Sequence, residues 1–297
     1  RSFHVTGVQT CALPISNMNE QIKLGEINTL KILRETDNGL YLQALNEEEV
    51  LLPNSYVTKE MEFDDTIEVF IYTDSEDRLV ATTTKPLGMK NEFVFAKVVD
   101  VARFGAFVDI GLPKDLLVPR NKQKNPFENG DRRIIRIIED EETNRLIGVE
   151  KITSFLSNET SHFKRNDEVS IMIIAHTPLG YKVIIDNNYE GVIYKNEVFE
   201  KLHTGDIKKA YIKAVRDDGK VDVSLQPIGT KESTDAATAK IIELLEKNNG
   251  YLPYTSKSDP DAIQKIFGLS KKNFKKSLQT LILEEKIELV DNGIKIK

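Results

Sequence analysis

The sequence VARFGAFVDIG, residues Val101 to Gly111, decides the fold of this chain. It is rich in residues that favour β-strands, and two phenylalanines, Phe104 and Phe107, flank a glycine and an alanine where the chain is expected to turn. Small residues beside two rings leave flat, open surface. Such a surface indicates a platform for stacking nucleobases, because every base has a π-face. The alternative is that both rings belong to the core of an ordinary hairpin.

The same spacing of glycine, strand end and aspartate occurs three times in the chain. Fourteen residues after each glycine a short apolar run ends, and an aspartate follows twelve residues later. The three sets are Gly39, Pro53 and Asp65; Gly105, Pro119 and Asp131; and Gly180, Tyr194 and Asp206. A repeat of this kind indicates three copies of one structural unit.

Each copy is predicted to hold five short strands. In the middle copy the expected strands are 93–102, 105–110, 116–119, 132–139 and 145–149. The fourth strand is predicted from its β-branched content and from the Gly130-Asp131 turn before it, because its apolar residues occur in pairs and do not alternate. Five strands in 60 to 75 residues suit a small Greek-key barrel of the oligonucleotide-binding (OB) type.

After Pro227 the apolar residues change to helical spacing. We predict a polar linker, GTKESTD, and then helices over 236–248, from Pro260 to before Gly268, and over 271–286, with Asp259 and Ser270 as caps. Residues 287–290 and 294–297 flank an Asp-Asn-Gly turn and predict a terminal hairpin. Three helices followed by a β-ribbon are typical of a winged helix. The predicted fold class is therefore mainly β with a C-terminal α+β domain.

Composition limits the possible functions. The chain is 40% hydrophobic and 30% charged, with a net charge of −6, so nucleic acid would have to bind through local basic patches and stacking. No apolar run reaches the length of a membrane span and no secretion signal is recognisable, so we expect a cytoplasmic protein without membrane contact.

Residues 1–17 are predicted to be a non-native leader, because VTGVQTCALPI resembles a translated sequencing adapter and shares no pattern with the rest. Cys11, the only cysteine, falls within it. The four histidines are scattered, and the carboxylates lie in expected turns or on charged faces, so we expect no metal, no cofactor and no enzymatic activity.

The middle copy resembles the S1 RNA-binding domain in three sequence motifs. These are the core K-V-x-x-V-x-x-F-G-A-F-V, an L-L-V that follows it and a G-D further along the chain. The resemblance implies that Phe104 and Phe107 lie on an RNA-binding face and that Arg145, near the last turn, joins them. One departure is Pro119, which stands where the family usually has a histidine and so removes one expected contact.

Further residues are predicted to support RNA binding. The middle copy has 11 basic and 10 acidic residues, and its candidate contacts are Arg103, Lys97 and Arg120. The first copy is strongly acidic, with 15 acidic and 7 basic residues, and offers only Tyr41 for stacking. The third copy has Lys182 and Leu179 at the positions of Phe107 and Phe104.

The predicted third helix carries four lysines, Lys271, Lys272, Lys275 and Lys276. A helix-turn-helix relative presents this helix to nucleic acid, and lysines there would add contacts to the phosphate backbone with little base reading. The alternatives are a solvated face or a surface for protein contacts.

The complete order resembles the conserved virulence factor B family of RNA-binding regulators. The predicted domains are three S1-like barrels, 18–90, 91–153 and 154–228, and a winged helix, 229–297. The resemblance implies single-stranded RNA as partner and a post-transcriptional influence on other genes, including virulence determinants. A winged-helix transcription regulator that binds DNA and a non-catalytic protein scaffold are the alternatives.

Overall fold

The computed structural model describes residues 18–198, 200–228 and 231–297. The predicted leader, with Cys11, lies outside these residues. The chain forms two compact units that divide between Ser154 and Phe155. The first holds two β-barrels, and the second holds a third barrel and the C-terminal domain. This confirms the predicted fold class of three five-stranded units followed by a winged helix.

The first barrel is closed, with strand order β1-β2-β3-β5-β4. Its strands are β1 (Ile27–Thr36), β2 (Gly39–Gln43), β3 (Glu49–Pro53), β4 (Thr66–Thr73) and β5 (Leu79–Thr82). β4 is buried on both faces, which explains its continuous apolar sequence VFIY. Val69 and Ile71 belong to the barrel's own core, whereas Phe70 and Tyr72 are buried in the apolar cluster of the middle barrel.

The middle barrel has the strand order β10-β9-β6-β7-β8. Its strands are β6 (Phe93–Ala102), β7 (Gly105–Asp109), β8 (Leu116–Pro119), β9 (Arg132–Glu139) and β10 (Leu146–Val149). Each differs from its predicted range by one residue at most. Ile135 and Ile137 are buried in the core while Ile134 is half-buried outside, which accounts for the paired apolar residues of β9. β10 approaches β8 at Gly148, where an added Cβ would lie 2.7 Å from the Val118 side chain.

Two repeated contacts explain the three repeated anchors. In every barrel the anchor glycine pairs with the last residue of the third strand, as Gly39 does with Pro53 and Gly105 with Pro119. A Cβ at Gly39 would lie only 2.0 Å from the Leu52 carbonyl oxygen, so no other residue fits. The anchor aspartate accepts a hydrogen bond from the backbone N–H three residues earlier, as Asp131 does from Glu128 at 3.0 Å, and so fixes the turn before the fourth strand.

The third barrel is closed in the same order as the first. Its strands are β11 (Glu168–Thr177), β12 (Gly180–Ile185), β13 (Tyr189–Tyr194), β14 (Ile207–Val215) and β15 (Val221–Ser224). A parallel pair, β13 with β15, completes it, as Gly191 faces Val221. A bulge between Ile173 and Ala175 bends β11, and the first strands of the other two barrels bend in the same way.

The C-terminal domain is a winged helix. Its elements are α1 (Lys231–Lys247), β16 (Tyr251–Leu252), α2 (Pro260–Phe267), α3 (Lys271–Leu283), β17 (Ile287–Val290) and β18 (Gly293–Ile296). The predicted caps are confirmed: the Asp259 carboxylate accepts from Asp261 N at 3.0 Å, the Ser270 hydroxyl accepts from Asn273 N at 3.2 Å, and Gly268 adopts the left-handed conformation.

Three details of this domain differ from expectation. α1 begins at Lys231 and not at 236, because the lysine and glutamate of the expected linker are good helix formers. α3 ends at Leu283, since Glu285 takes a positive φ of 56° that breaks the helix. The two-residue strand β16, too short to show a pattern, pairs with β18 and makes the ribbon a three-stranded sheet.

Candidate nucleic-acid interface

Phe104 and Phe107 form one aromatic pair at the turn between β6 and β7. Their ring centroids lie 5.9 Å apart with an interplanar angle of 88°. Phe104 is 61% exposed and Phe107 is half-buried. An edge-to-face pair leaves part of each ring face open, so the pair can receive a stacked base.

The local backbone explains why these rings point outward. Side chains alternate across β7, and Ala106 and Val108 are buried, so Phe107 lies on the outer face. A Cβ on Gly105 would lie 2.6 Å from the Val118 carbonyl oxygen, so the strand approaches β8 closely there. The Arg120 N–H donates to the Phe104 carbonyl at 2.9 Å and fixes the turn.

A cleft of about 270 Å³ lies beside the aromatic pair, between the first two barrels. Its lining is mostly apolar. From the middle barrel come Phe104, Phe107, Ile110, Leu112, Lys114, Asp115, Leu116, Leu117, Arg145, Leu146 and Ile147, and from the first barrel come Tyr72 and Thr73. Burial, together with Tyr56, raises the pKa of Tyr72 to about 12.

Arg145 lines the cleft together with Phe104 and Phe107, but it already has an anionic partner. Its guanidinium forms an ion pair with the Asp77 carboxylate of the first barrel. Lys114 joins the same group, with its Nζ 3.5 Å from Asp77 Oδ1 and 2.5 Å from the Asp74 carbonyl oxygen. Two cations of the middle barrel therefore converge on one turn of the first, which we call the acidic turn (Asp74–Arg78).

Hydrogen bonds within the acidic turn hold Asp77 in place. The Asp74 carboxylate accepts from the backbone N–H groups of Glu76 and Arg78 at 2.9 and 3.0 Å, and from the Arg78 guanidinium. Burial acts to raise the pKa of Asp74, but these hydrogen bonds outweigh it and lower the pKa. Asp77 has a φ of 63°, a conformation that aspartate tolerates in turns. The turn is thus preformed independently of Arg145.

The other basic candidates of the middle barrel surround the aromatic pair less closely. Arg103 precedes Phe104 in the turn, and Arg120 directly follows β8. Lys97, on β6, pairs with Asp109 of β7 in the sheet. All three are exposed, and none forms an ion pair with another described residue. They are available for phosphate contacts. Asp115, at the cleft, has its pKa raised by burial and by the nearby Asp109 and Asp100.

The first barrel has no equivalent platform within its described residues. The Arg34 guanidinium lies 3.8 Å from the centroid of the Tyr41 ring and also pairs with Glu49 at 2.7 Å. One face of Tyr41 is therefore covered by its own barrel. Asn38 stands at the position of Phe104.

The third barrel likewise has no phenylalanine at either of the two positions. Leu179, at the position of Phe104, is 56% exposed, and Lys182, at the position of Phe107, pairs with Glu190 at 3.3 Å. Tyr181 packs edge to face on His176, 5.0 Å away. Of the three barrels, only the middle one has a phenylalanine at both of these positions.

The four lysines of the winged helix lie on α3. Lys272, Lys275 and Lys276 are exposed, whereas Lys271 is half-buried with its Nζ 3.5 Å from the Lys257 carbonyl oxygen. Phe274, Leu278 and Leu281 form the buried face. α3 therefore presents three exposed lysine side chains, while its apolar face packs into the core of the winged helix.

Tyr72 and Lys114 line the cleft, and Asp77 pairs with Arg145 and Lys114 beside it, but none of these residues was predicted as part of the site. Tyr72 carries a signal in the sequence, because β4 is too continuously apolar for a strand with one solvated face. Lys114 and Asp77 have no local signal, since their role depends on the contact between two barrels. Among the described residues, no cluster of three histidine, cysteine or carboxylate side chains could hold a metal ion, and no helix is long and apolar enough to cross a membrane.

Comparison with family models assigns each domain. Residues 24–84 match the S1 domain, residues 88–226 the S1 RNA binding domain, and residues 239–296 the CvfB-like winged helix domain. The second match spans both the middle and the third barrel.

Proteins of similar length match over nearly the whole chain. An uncharacterized protein, YitL, of Bacillus subtilis is 32% identical over 91% of this chain and 92% of its own. Conserved virulence factor B of Staphylococcus epidermidis is 26% identical over 91% and 93%. A crystal structure of a multidomain protein with nucleic acid binding domains from Streptococcus pneumoniae has 25% identity, covers 92% of this chain and 98% of that one, and has a TM-score of 0.41.

Proposed function

The chain belongs to the conserved virulence factor B family, and we propose that it binds single-stranded RNA through Phe104 and Phe107 and regulates gene expression post-transcriptionally. The observation that carries this proposal is the exposed aromatic pair on a five-stranded S1 barrel, with Arg103, Lys97 and Arg120 around it. Rings stack on bases and the cations contact phosphates.

Unpaired RNA suits this surface better than a duplex. Stacking on Phe104 requires a base whose face is exposed, and the bases of a duplex are stacked on each other. The acidic first barrel, with a balance of −8, would repel the closely spaced phosphates of a duplex that lay across it. In this proposal the protein is a cytoplasmic binding protein without catalytic activity, and its influence on virulence genes follows from the family name alone.

A DNA-binding role for the winged helix is the second candidate, because three exposed lysines lie on α3. One competition experiment separates the two. A labelled single-stranded RNA is bound to the full chain, and unlabelled RNA or duplex DNA of the same length is added. We expect RNA to displace the label at concentrations far below those needed for duplex DNA; the reverse order would favour a DNA-binding regulator.

Loss of binding must also be specific to the aromatic pair. Phe63 offers a matched control, because it is a 71% exposed phenylalanine of the first barrel, away from the cleft residues. Phe63→Ala should leave RNA affinity unchanged, while Phe104→Ala should weaken it. Equal effects of the two substitutions would remove the reason for placing RNA on the middle barrel and would mean that RNA binds elsewhere on the chain.

A further inference from the structure

The cleft beside Phe104 has a second wall that comes from the first barrel. Tyr72 and Thr73 face it from β4, across from Leu117 and Phe107. Its volume of about 270 Å³ lies just below the roughly 300 Å³ at which small-molecule sites begin. A narrow apolar cleft of that size suits one flat nucleobase.

The mouth of the cleft already holds an anion, the Asp77 carboxylate. It contacts the Arg145 guanidinium and the Lys114 ammonium, and the ammonium also donates to the Asp74 carbonyl oxygen. The side chains of Arg145 and Asp77 are 51% and 39% exposed, so water reaches the pair. An exposed ion pair contributes little stability and can be exchanged for another anion at small cost.

We infer that the junction of the first two barrels is a nucleotide-binding subsite. The base of one unpaired ribonucleotide enters the cleft between Tyr72 and the Phe104–Phe107 pair, and its phosphate replaces the Asp77 carboxylate on Arg145 and Lys114. The inference rests on the proposed function and adds to it a role for the first barrel. The net negative charge of that barrel disfavours RNA binding over most of its surface. Its residues Tyr72 and Thr73 nevertheless form one wall of the subsite, and its Asp77 carboxylate is the group that the phosphate displaces.

Removing the negative charge of Asp77 tests whether an RNA phosphate takes the place of its carboxylate. Asp77→Asn keeps the turn, because asparagine also tolerates a positive φ. Single-stranded RNA should then bind about two- to fivefold more tightly, the value of one exposed ion pair. The matched control is Glu76→Gln, which removes the same charge from the same turn at a residue that pairs only with Arg78 among the described residues. It should leave the affinity nearly unchanged.

A double-mutant cycle shows whether Asp77 acts through Arg145. The gain from Asp77→Asn should become smaller when Arg145→Gln is also present, because only Lys114 is then released from Asp77. If the wild type binds RNA and Phe104→Ala weakens binding, but Asp77→Asn behaves like Glu76→Gln, the inference is overturned while the proposed function stands. If the wild type does not bind RNA, the proposed function itself fails.

Crosslinking of the full chain to an RNA that carries one 4-thiouridine tests whether a base enters the cleft. A base in the cleft lies against both barrels, so the crosslinked peptides should include the β4 segment with Tyr72 and Thr73 as well as the segment with Phe104. Crosslinks confined to Phe104 and Phe107 would show that the base stacks outside the cleft, and would overturn this half of the inference.

Discussion

The carboxylate of Asp77 and the guanidinium of Arg145 form an ion pair although 68 residues separate them in the chain. Through this pair the acidic first barrel touches the one basic residue that the S1 resemblance places on the RNA face. The binding surface of the middle barrel is therefore shaped by its neighbour.

The aromatic pair should dominate the affinity. Replacing both Phe104 and Phe107 by alanine removes two stacking rings and should cost about 2 to 6 kcal/mol of binding free energy if each ring stacks one base. Fluorescence anisotropy with a labelled single-stranded RNA measures the loss. Circular dichroism must show an unchanged barrel, and an unchanged affinity in the folded variant would mean that RNA binds elsewhere.

RNA binding should weaken as salt rises, with a shallow slope. In a logarithmic plot of affinity against salt concentration, each phosphate contacted on a single strand contributes about −0.7 to the slope, so the three exposed cations Arg103, Lys97 and Arg120 predict a slope of about −2. Affinity measured over a series of salt concentrations gives the value. A much steeper slope would reveal a continuous basic groove, and a flat one would leave stacking as the whole interaction.

The lysines of α3 should add affinity for long RNA without base preference. Changing Lys272, Lys275 and Lys276 to glutamine should weaken binding of a long RNA by roughly tenfold, because a second contact on the same chain acts at high effective concentration. An oligonucleotide of about 8 residues, which fills one barrel, should bind unchanged. The control triple, Lys240, Lys247 and Lys265 to glutamine, removes the same charge from α1 and α2. Equal losses of affinity in the two triple variants would indicate that the lysines act only through nonspecific electrostatic attraction.

The anchor glycine should be essential to the fold of each barrel. Gly39→Ala forces a Cβ against the Leu52 carbonyl oxygen and should destabilise the first barrel by about 2 kcal/mol or more. Gly130→Ala is the control, since its φ of 89° is also positive but nothing lies within 4 Å of the new Cβ. It should cost only the roughly 1 kcal/mol of a left-handed backbone. Hydrogen exchange of the strand amides reports each barrel separately.

The sequence predicts the barrels well because their determinants are local. Turns with Gly130-Asp131 and caps at Asp259 and Ser270 depend on neighbouring residues, so the strands of the middle barrel and the start of α2 agree with expectation. The aromatic pair is likewise local, since only Gly105 and Ala106 lie between its members. Those features are fixed by chemistry within a few residues.

The rest of the site depends on contacts that no local pattern encodes. Tyr72 faces the cleft only because β4 packs between two barrels, and Lys114 meets Asp77 across that junction. The covered face of Tyr41 follows from the position of Arg34 on the neighbouring strand. A charge count indicates an acidic first barrel, but it does not say where the acids lie.

The close approach of each anchor glycine to the third strand also bears on how the three copies have diverged. At that point the backbone itself forms the contact, so a change of residue breaks the barrel, whereas the neighbouring outward position accepts Tyr41, Phe107 or Lys182 without loss of the fold. A duplicated barrel of this design can therefore exchange its ligand face while its framework is kept. One copy carries two rings, one is acidic, and the third carries a lysine paired with Glu190.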